Sequence, residues 1–560
     1  MFRGVPSPTQ LARPVPKRSF DGTVSIPTGR LPLTVTEWVL VALFAVASFA
    51  LFGLNAIDAA AHNRVYLGAA GAAKDSMQYL AWATDAAHHG LIANLYGFNN
   101  GGHVFLAPIW LVTGLLHVDA GVSYALLLGL WQAGALILLV IVLRRYAQLV
   151  LGKDGRARAI ALTLALFLVS PFFLFVVNLN LTINGQWTWR LTGESYAIQW
   201  ISGDFLIGFS VAAMIGYLIA LERLMEAREE PTLRAELLRP AGFAAAAIGA
   251  TAALLHPWQG AELAVMTVGV AIWDRRLQSR RNVRLLLPLA GIALPLLYYL
   301  ILPKIDAGWA TANRDAGPNR GIPLFGWLTT FGPVALASIP GWRTRAISDR
   351  QRLLRLWPIA VAITFVATPN GKFHAFAGVS IPLALLAVQG WQRVLNERRL
   401  EGRKLQVLRL LVAAGFVALV FGAVPATIRL LSNYRLGAQL DRPDADALDY
   451  LAQQPHGGVL STANIGIWVP VLTDDSTYVG HYVWSPQWGR RANYVKRLFR
   501  YRGKPPLSPT AALSLVEQPG ARYVLEPCGS REKLWPLLEP QGYSRQVFGC
   551  ATIYTRGSSH

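Results

Sequence analysis

Apolar residues in this chain gather in long runs instead of alternating with polar ones. Trp38 to Leu54, Leu126 to Leu143, Ala159 to Val177 and Leu410 to Val424 carry no charged residue. Uncharged runs near 18 residues match the hydrocarbon core of a bilayer. Other runs are shorter or interrupted by glycine, as in tilted helices packed inside a bundle. About eleven membrane spans are predicted, starting near residues 36, 121, 158, 204, 241, 258, 285, 324, 356, 374 and 409. The apolar stretch Val104 to Leu116 is short and contains Pro108, so it is taken as an interfacial or re-entrant helix. It lies within a first external loop, residues 57–120, that is too long for a simple connector.

The pattern changes over residues 444–556. Short β-rich runs (Gly458 to Ser461, Thr477 to Gly480, Arg522 to Leu525, Ala551 to Tyr554) alternate there with helical stretches at Asp444 to Gln453, Arg490 to Tyr501 and Arg531 to Leu538. Such alternation predicts a small α/β sandwich. The expected fold is a polytopic helical membrane protein with a small C-terminal α/β domain outside the cytoplasm.

Composition agrees with the membrane reading. Of 560 residues, 53% are hydrophobic and 15% charged, where soluble domains carry about a quarter charged. The net charge of +21 does not mark a nucleic-acid binder, because the basic residues sit in short patches between apolar runs. Segments 1–35, 144–158, 222–240, 274–284, 341–355 and 392–409 hold 30 Lys and Arg. The opposite loops hold seven: Arg64, Lys74, Arg190, Lys304, Arg314, Arg320 and Lys372. Positive loops resist translocation, so the basic segments are expected in the cytoplasm. An odd number of spans then puts the chain beyond about residue 430 outside. The expected organisation is a basic tail over 1–35, a membrane module over 36–430 and an extracytoplasmic domain over 431–560, in the plasma (inner) membrane. No cleavable leader is expected, since the first 34 residues are rich in Pro and Arg and the following run is long enough to remain as a span. Cys528 and Cys550, the chain's two cysteines, both fall in the external region. That location permits a disulfide, and two unpaired buried thiols remain the alternative.

Candidate chemistry concentrates in the first external loop. Lys74-Asp75-Ser76-Met77-Gln78-Tyr79-Leu80-Ala81-Trp82 is followed by Asp85, His88 and His89. At helical spacing Asp75 and Tyr79 share one face. A carboxylate there can take a proton from a substrate hydroxyl; the bland alternative is a solvated or capping Asp.

Asp-Ser-Met-Gln-Tyr-Leu-Ala-Trp, a Gly-rich turn, a Pro-containing amphipathic stretch and a span ending in Arg144-Arg145 resemble bacterial glycosyltransferases of the C superfamily (GT-C). The likeness continues with His256-Pro257-Trp258, with Pro369 to His374 leading into an apolar helix, and with Val459 to Pro470 and Tyr478-Val479-Gly480-His481. The resemblance implies transfer of a sugar from a polyprenyl-phosphate donor to a glycan, lipid or protein acceptor at the external membrane face. Asp75 maps onto the general base proposed in that family, with Asp58 as runner-up and Asp85 third. A second acidic residue often stands beside the base in the family; here Lys74 precedes it. No cofactor is implied beyond the lipid-linked co-substrate, and a divalent-metal requirement is left open.

A departing lipid phosphate needs fixed positive charge or donors. Lys372 and His374 on one short loop are the leading candidates, with His256, Arg314 and Arg320 behind them. Arg314 and Arg320 also suit anionic headgroups. External aromatics recur at Trp187, Trp189, Tyr196, Trp200, Trp258, Trp309, Trp484 and Trp488. Most fit an interfacial belt. Trp484 and Trp488, beyond the last span, are candidates for acceptor contact, as are Tyr79 and Trp258. No cluster along the sequence has tight metal-ligand spacing, and no phosphate-cradling Gly-rich loop supports a nucleotide-sugar donor. The rival class is a secondary transporter or flippase, which would favour charges within spans and repeated halves.

Overall fold

The computed structural model describes residues 32–69, 73–98, 101–167, 195–227, 232–273, 280–315, 331–344, 346, 348–398, 406, 439–531 and 533–557. The span expected from residue 409, Arg320, Trp187 and Trp189 lie outside the described residues.

Among the described residues the longer helices before the C-terminal region begin, in chain order, with α1 (Val35–Ala61), α2 (Ala73–His89), α3 (Pro108–Val118), α4 (Tyr124–Leu151), α5 (Gly155–Phe167), α6 (Phe205–Glu226) and α7 (Pro240–Leu255). They continue with α8 (Pro257–Trp273), α9 (Leu286–Ile305), α10 (Ala307–Asp315), α11 (Gly332–Arg343), α12 (Asp349–Ala367) and α13 (Ser380–Arg398). Among the described residues six segments are long and apolar enough to cross a membrane: Val35–Ala61, Tyr124–Leu151, Phe205–Glu226, Leu233–Leu255, Leu286–Ile305 and Lys372–Leu395. The chain is therefore a multi-pass membrane protein by the length and composition of its helices.

Local sequence sets several helix starts. Thr34 and Glu37 form a reciprocal capping box at α1, which satisfies two N–H groups that the first turn leaves open. Ser123, Asp204 and Ser348 cap α4, α6 and α12 through their side-chain oxygens. The stretch expected to be interfacial is helical from Pro108. Proline opens α3 at its first turn, where its missing N–H costs nothing.

One end of the bundle is tied by buried ion pairs. Arg158 Nε lies 2.9 Å from Glu37 Oε1, and Arg144 lies 3.6 Å from the other oxygen. Arg350 pairs with Glu222 at 2.6 Å and donates to the Leu149 carbonyl. Arg284 holds Glu236 at 2.6 Å and donates to the carbonyls of Leu224 and Ala227. These pairs join the start of α1 and α12 to the ends of α4 and α6, so four of the basic segments read from sequence (144–158, 222–240, 274–284 and 341–355) meet on one side. His256, at the far end of α7, and Asp58, in the last turn of α1, lie at the opposite end.

Residues 439–556 build the C-terminal region. Strand β1 (Arg64–Tyr66) pairs antiparallel with β2 (Gln439–Asp441), which leads straight into α14 (Arg442–Leu451). A four-stranded sheet follows from β3 (Gly458–Leu460), β4 (Ala521–Glu526), β5 (Tyr543–Phe548) and β6 (Ala551–Arg556), in the order β3-β4-β6-β5. The β3–β4 pair is parallel and the others antiparallel. Alternation along the strands divides the core. Leu460, Val524 and Tyr554 pack against α16 (Trp488–Leu498) and α17 (Pro509–Val516), following the short α15 (Val469–Thr473). Val459, Tyr523, Leu525 and Ile553 belong to the core shared with α14 and the first loop.

Several elements differ from the sequence expectation: the helix expected over Arg531 to Leu538 covers only Trp535–Leu538, where Pro536 sits in its first turn, and β1 and β2 are strands where none is expected. Thr477 makes one isolated bridge to Val459, and Thr477 to Gly480 is not a strand. Strand β5 is present where none is expected. Its YSRQVF sequence lies at a sheet edge with four successive exposed residues, so no apolar alternation marks it.

Cys528 and Cys550 are joined, with Cα atoms 5.0 Å apart and a sequence separation of 22. The bridge ties the end of β4 to the β5–β6 turn. Mapping under non-reducing conditions is expected to recover the two cysteines in one cross-linked peptide pair. Replacing both with serine should lower stability by about 3 kcal/mol on the chain-entropy estimate, read as an earlier denaturation midpoint. Two free thiols in the mature protein would rule the bridge out.

Candidate functional site

Helix α2 runs against the C-terminal region, and Asp75 stands in its first turn. His481 Nε2 donates to Asp75 Oδ1 at 2.9 Å. The other ring nitrogen, Nδ1, accepts from the Val483 N–H at 3.2 Å. That backbone donor fixes the tautomer: the proton sits on Nε2 and points at the carboxylate. Asp75 Oδ2 has no hydrogen bond among the described residues, and the Asp75 side chain is 36% exposed while His481 is 2% exposed. A buried imidazole thus aims an accessible carboxylate.

Lys74, beside it, extends over the Trp488 ring at 5.5 Å, within cation–π range. Burial lowers the Lys74 ammonium pKa; the Asp75 charge opposes that shift and Lys496 adds to it. Trp488 also donates Nε1–H to the Gly480 carbonyl at 3.0 Å. Tyr79, one turn after Asp75, stacks on Trp110 at 4.9 Å and donates its hydroxyl to Asp204 at 2.8 Å. Its ring and its hydroxyl are both engaged in holding α2 to α3 and α6.

Next along α2, Trp82 enters an aromatic cluster. It meets Phe105 at 5.1 Å and Trp484 at 5.3 Å; Trp309 on α10 meets Phe105 at 4.7 Å and Trp484 at 4.9 Å. Trp484, a candidate for acceptor contact from its position beyond the last span, is buried here against Trp82 and Trp309. Tyr482 is the exposed aromatic of this stretch, its ring 4.6 Å from His481.

Helix α10 connects this region to the second set of predicted residues. Asn370 Nδ2 donates to the backbone and side-chain oxygens of Asn313 at 2.7 and 2.8 Å. Two residues on, Lys372 reaches over the Phe365 ring at 4.9 Å. His374 lies 4.3 Å from the Trp258 ring and 5.0 Å from His256. His256 Nδ1 bonds Gln259, which donates onward to the carbonyls of His374 and Ala377. Arg314, on α10 beside Asn313, contacts Thr311. An apolar groove of about 640 Å³, lined by Trp342, Pro358, Ile359, Ile363 and Val366, follows α12 up to Ala367, where this loop begins.

Asp58 lies apart. Its carboxylate accepts from Gln439 at 3.1 Å and faces His62, helping to seat β2 on the end of α1. Asp85 is fully buried, and two histidines, His89 and His103, bring nitrogens to its carboxylate. The sequence spacing shows no metal-type cluster; the fold assembles these three side chains because His103 comes from the returning loop.

Sequence reasoning missed His481 as a site residue, and also Asp204, Trp82 and Tyr482. His481 is 406 positions from Asp75, and a single histidine in a short motif carries no sign of its partner. Asp204 had one readable signal, an acidic residue directly before an apolar helix.

No family model and no curated protein matches this chain at the sequence level. Solved structures do share its fold. The archaeal oligosaccharyltransferase AglB from Archaeoglobus fulgidus, in complex with an inhibitory peptide and a dolichol-phosphate, aligns with TM-score 0.52 at 13% identity, over 93% of this chain and 74% of that one. ArnT from Cupriavidus metallidurans, bound to undecaprenyl phosphate, aligns with TM-score 0.50 at 14% identity, over 94% of this chain and 99% of that one. The likeness to both is one of fold.

Asp306 ties the start of α10 to the segment after α2. Its Oδ1 caps the start of α10 through the Trp309 N–H at 2.8 Å, and its Oδ2 accepts from the Gly102 N–H at 2.9 Å. Gly101 has φ +112°, and a Cβ there would meet the same carboxylate. Gly101→Ala is expected to cost roughly 2–4 kcal/mol from backbone strain and the lost charged hydrogen bond. Faster proteolytic nicking within 101–107, with an earlier thermal midpoint, would report it; a variant as resistant as the parent would contradict this role for Asp306.

Proposed function

We propose that this chain is a membrane glycosyltransferase that moves a sugar from a polyprenyl-phosphate donor to an acceptor hydroxyl at the extracytoplasmic face, with Asp75 as general base. The observation that carries the reading is the accessible Asp75 carboxylate oriented by His481, at the bundle end away from the basic loops. The fold likeness to AglB and ArnT, whose structures hold dolichol-phosphate and undecaprenyl phosphate, supports the donor class.

In this reading Asp75 Oδ2 takes the acceptor's hydroxyl proton while the oxygen attacks the anomeric carbon. The bond from that carbon to the phosphate oxygen breaks, the configuration inverts, and the phosphate leaves with its negative charge. Lys372 and His374 meet that charge, with His256 and Arg314 behind them. Tyr482 and Trp258 offer ring faces to the sugar. The groove along α12 has the apolar character a polyprenyl tail requires, and it ends at the Lys372 loop. About eleven spans, an N-terminal tail over residues 1–35 in the cytoplasm and the region beyond 430 outside complete the proposal; the 30-to-7 division of basic residues supports this orientation.

Asp75→Asn preserves size and the hydrogen bond from His481 but removes the base. Transfer from a polyprenyl-phosphate sugar should fall by about two orders of magnitude or more, with folding retained. Lys372→Ala should instead raise the donor KM. An Asp75→Asn enzyme with near-normal turnover would defeat the assignment; a dead Asp58→Asn variant beside it would move the base to Asp58.

Orientation is tested separately. A cysteine at Gly489, where a new Cβ meets nothing within 4 Å, should react with an impermeant maleimide in intact cells. Reaction only after permeabilisation would reverse the topology.

A further inference from the structure

The cluster around Asp85 has a different construction from the Asp75 site and lies ten residues further along α2, about 15 Å at 1.5 Å per residue. His89 Nδ1 and His103 Nε2 both stand 2.9 Å from Asp85 Oδ1, and the two imidazoles stack at 4.0 Å. The second carboxylate oxygen is fixed by the Ala93 N–H at 2.6 Å. A backbone donor thus holds Oδ1 toward the two rings.

A second carboxylate faces the same solvent-open cleft of about 610 Å³. Asp474, 6% exposed, bonds His88 through Oδ2 at 2.8 Å, while its Oδ1 is buried without a hydrogen-bond partner. Asp474 also adopts a left-handed backbone conformation, φ +57°, which costs energy in a residue other than glycine. A buried carboxylate oxygen without a hydrogen-bond partner thus stands beside a His-His-Asp group.

We propose that Asp85, His89 and His103 form a binding site for a divalent transition-metal ion, Zn²⁺ in the first instance, with Asp474 supplying further negative charge. Two imidazole nitrogens and a carboxylate oxygen are the ligand types zinc takes. The three ligand atoms already lie within 4.8 Å of one another. Bonds near 2.0–2.2 Å in a tetrahedron put ligand atoms about 3.4 Å apart, so Oδ1 and the nitrogens need to separate by only about half an ångström. Each imidazole moves its proton to its other nitrogen, which frees a lone pair for the metal and requires no change in net charge. His89 and His103 are 45% and 38% exposed, which gives the ion an entry path. The ion would clamp the segment 101–107 onto α2, beside the His88–Asp474 tie to the C-terminal region. The site does not depend on the transferase reading.

The test uses the full chain in detergent, stripped with a chelator and then equilibrated with zinc chloride. Elemental analysis after desalting should find one zinc per chain, and cobalt(II) should give the visible d–d bands of a low-coordinate N/O site. His89→Ala and His103→Ala should each weaken zinc binding by at least about tenfold, and Asp75→Asn should leave it unchanged. His103→Asn keeps the loop polar and similar in volume; its thermal midpoint without zinc should match the parent's, and it should lose the zinc-dependent rise. Absence of uptake by the stripped parent chain at micromolar zinc, or equal uptake by both histidine variants, would overturn the proposal.

Discussion

The meeting of Trp82, Phe105, Trp309 and Trp484 is the contact on which the rest of the upper structure depends. Four segments from across the chain supply one ring each: α2, the loop after it, α10 and the C-terminal region. Aromatic pairs at these separations add about 0.5–1.5 kcal/mol each beyond the area they bury. Their larger consequence is geometric. With the rings locked, α2 cannot turn about its axis, so Asp75 and Asp85 keep fixed directions. The Asp75–His481 bond then forms between groups that are already in place, at little entropic cost.

Charge fixes the other end. Glu37, Glu222 and Glu236 are almost wholly buried, and each is met by arginine. Removing one partner from such a pair typically costs 3–5 kcal/mol, because the remaining charge stays buried. The same arginines that bias orientation therefore also fasten helix ends to one another. That division leaves the opposite end, low in basic residues, to Asp75, His256 and Lys372. A cation there stands out in a field with few competing charges.

The first loop and the C-terminal region form a single body. Thr477 donates to the Leu95 carbonyl, Asn94 to the Trp484 carbonyl and Thr84 to the Val471 carbonyl. Gly480 is packed so closely on Tyr96 that a Cβ would lie 2.6 Å from its ring. Both the His481–Asp75 pair and the His88–Asp474 pair span this contact. Chemistry on α2 is thus coupled to residues nearly four hundred positions later.

By itself the sequence determined the membrane character, the helical class, the division of basic residues and the strands β3, β4 and β6, because each follows from local composition or short periodicity. Bilayer thickness and backbone pairing act on neighbouring residues, so they leave a readable pattern. Asp75 stood out in the sequence as an acidic residue in a polar, aromatic stretch beside a span, but the spacing alone left it open between a base and a solvated or capping carboxylate. His481, the anchoring role of Trp484, the engagement of Tyr79 by Asp204 and the convergence of His103 on Asp85 were decided by tertiary structure alone. Strand β5 belongs with them, since only its pairing with β6 makes it a strand. Each depends on segments far apart in the chain, and a hydrogen bond or a ring contact leaves no mark on the spacing of the residues that make it.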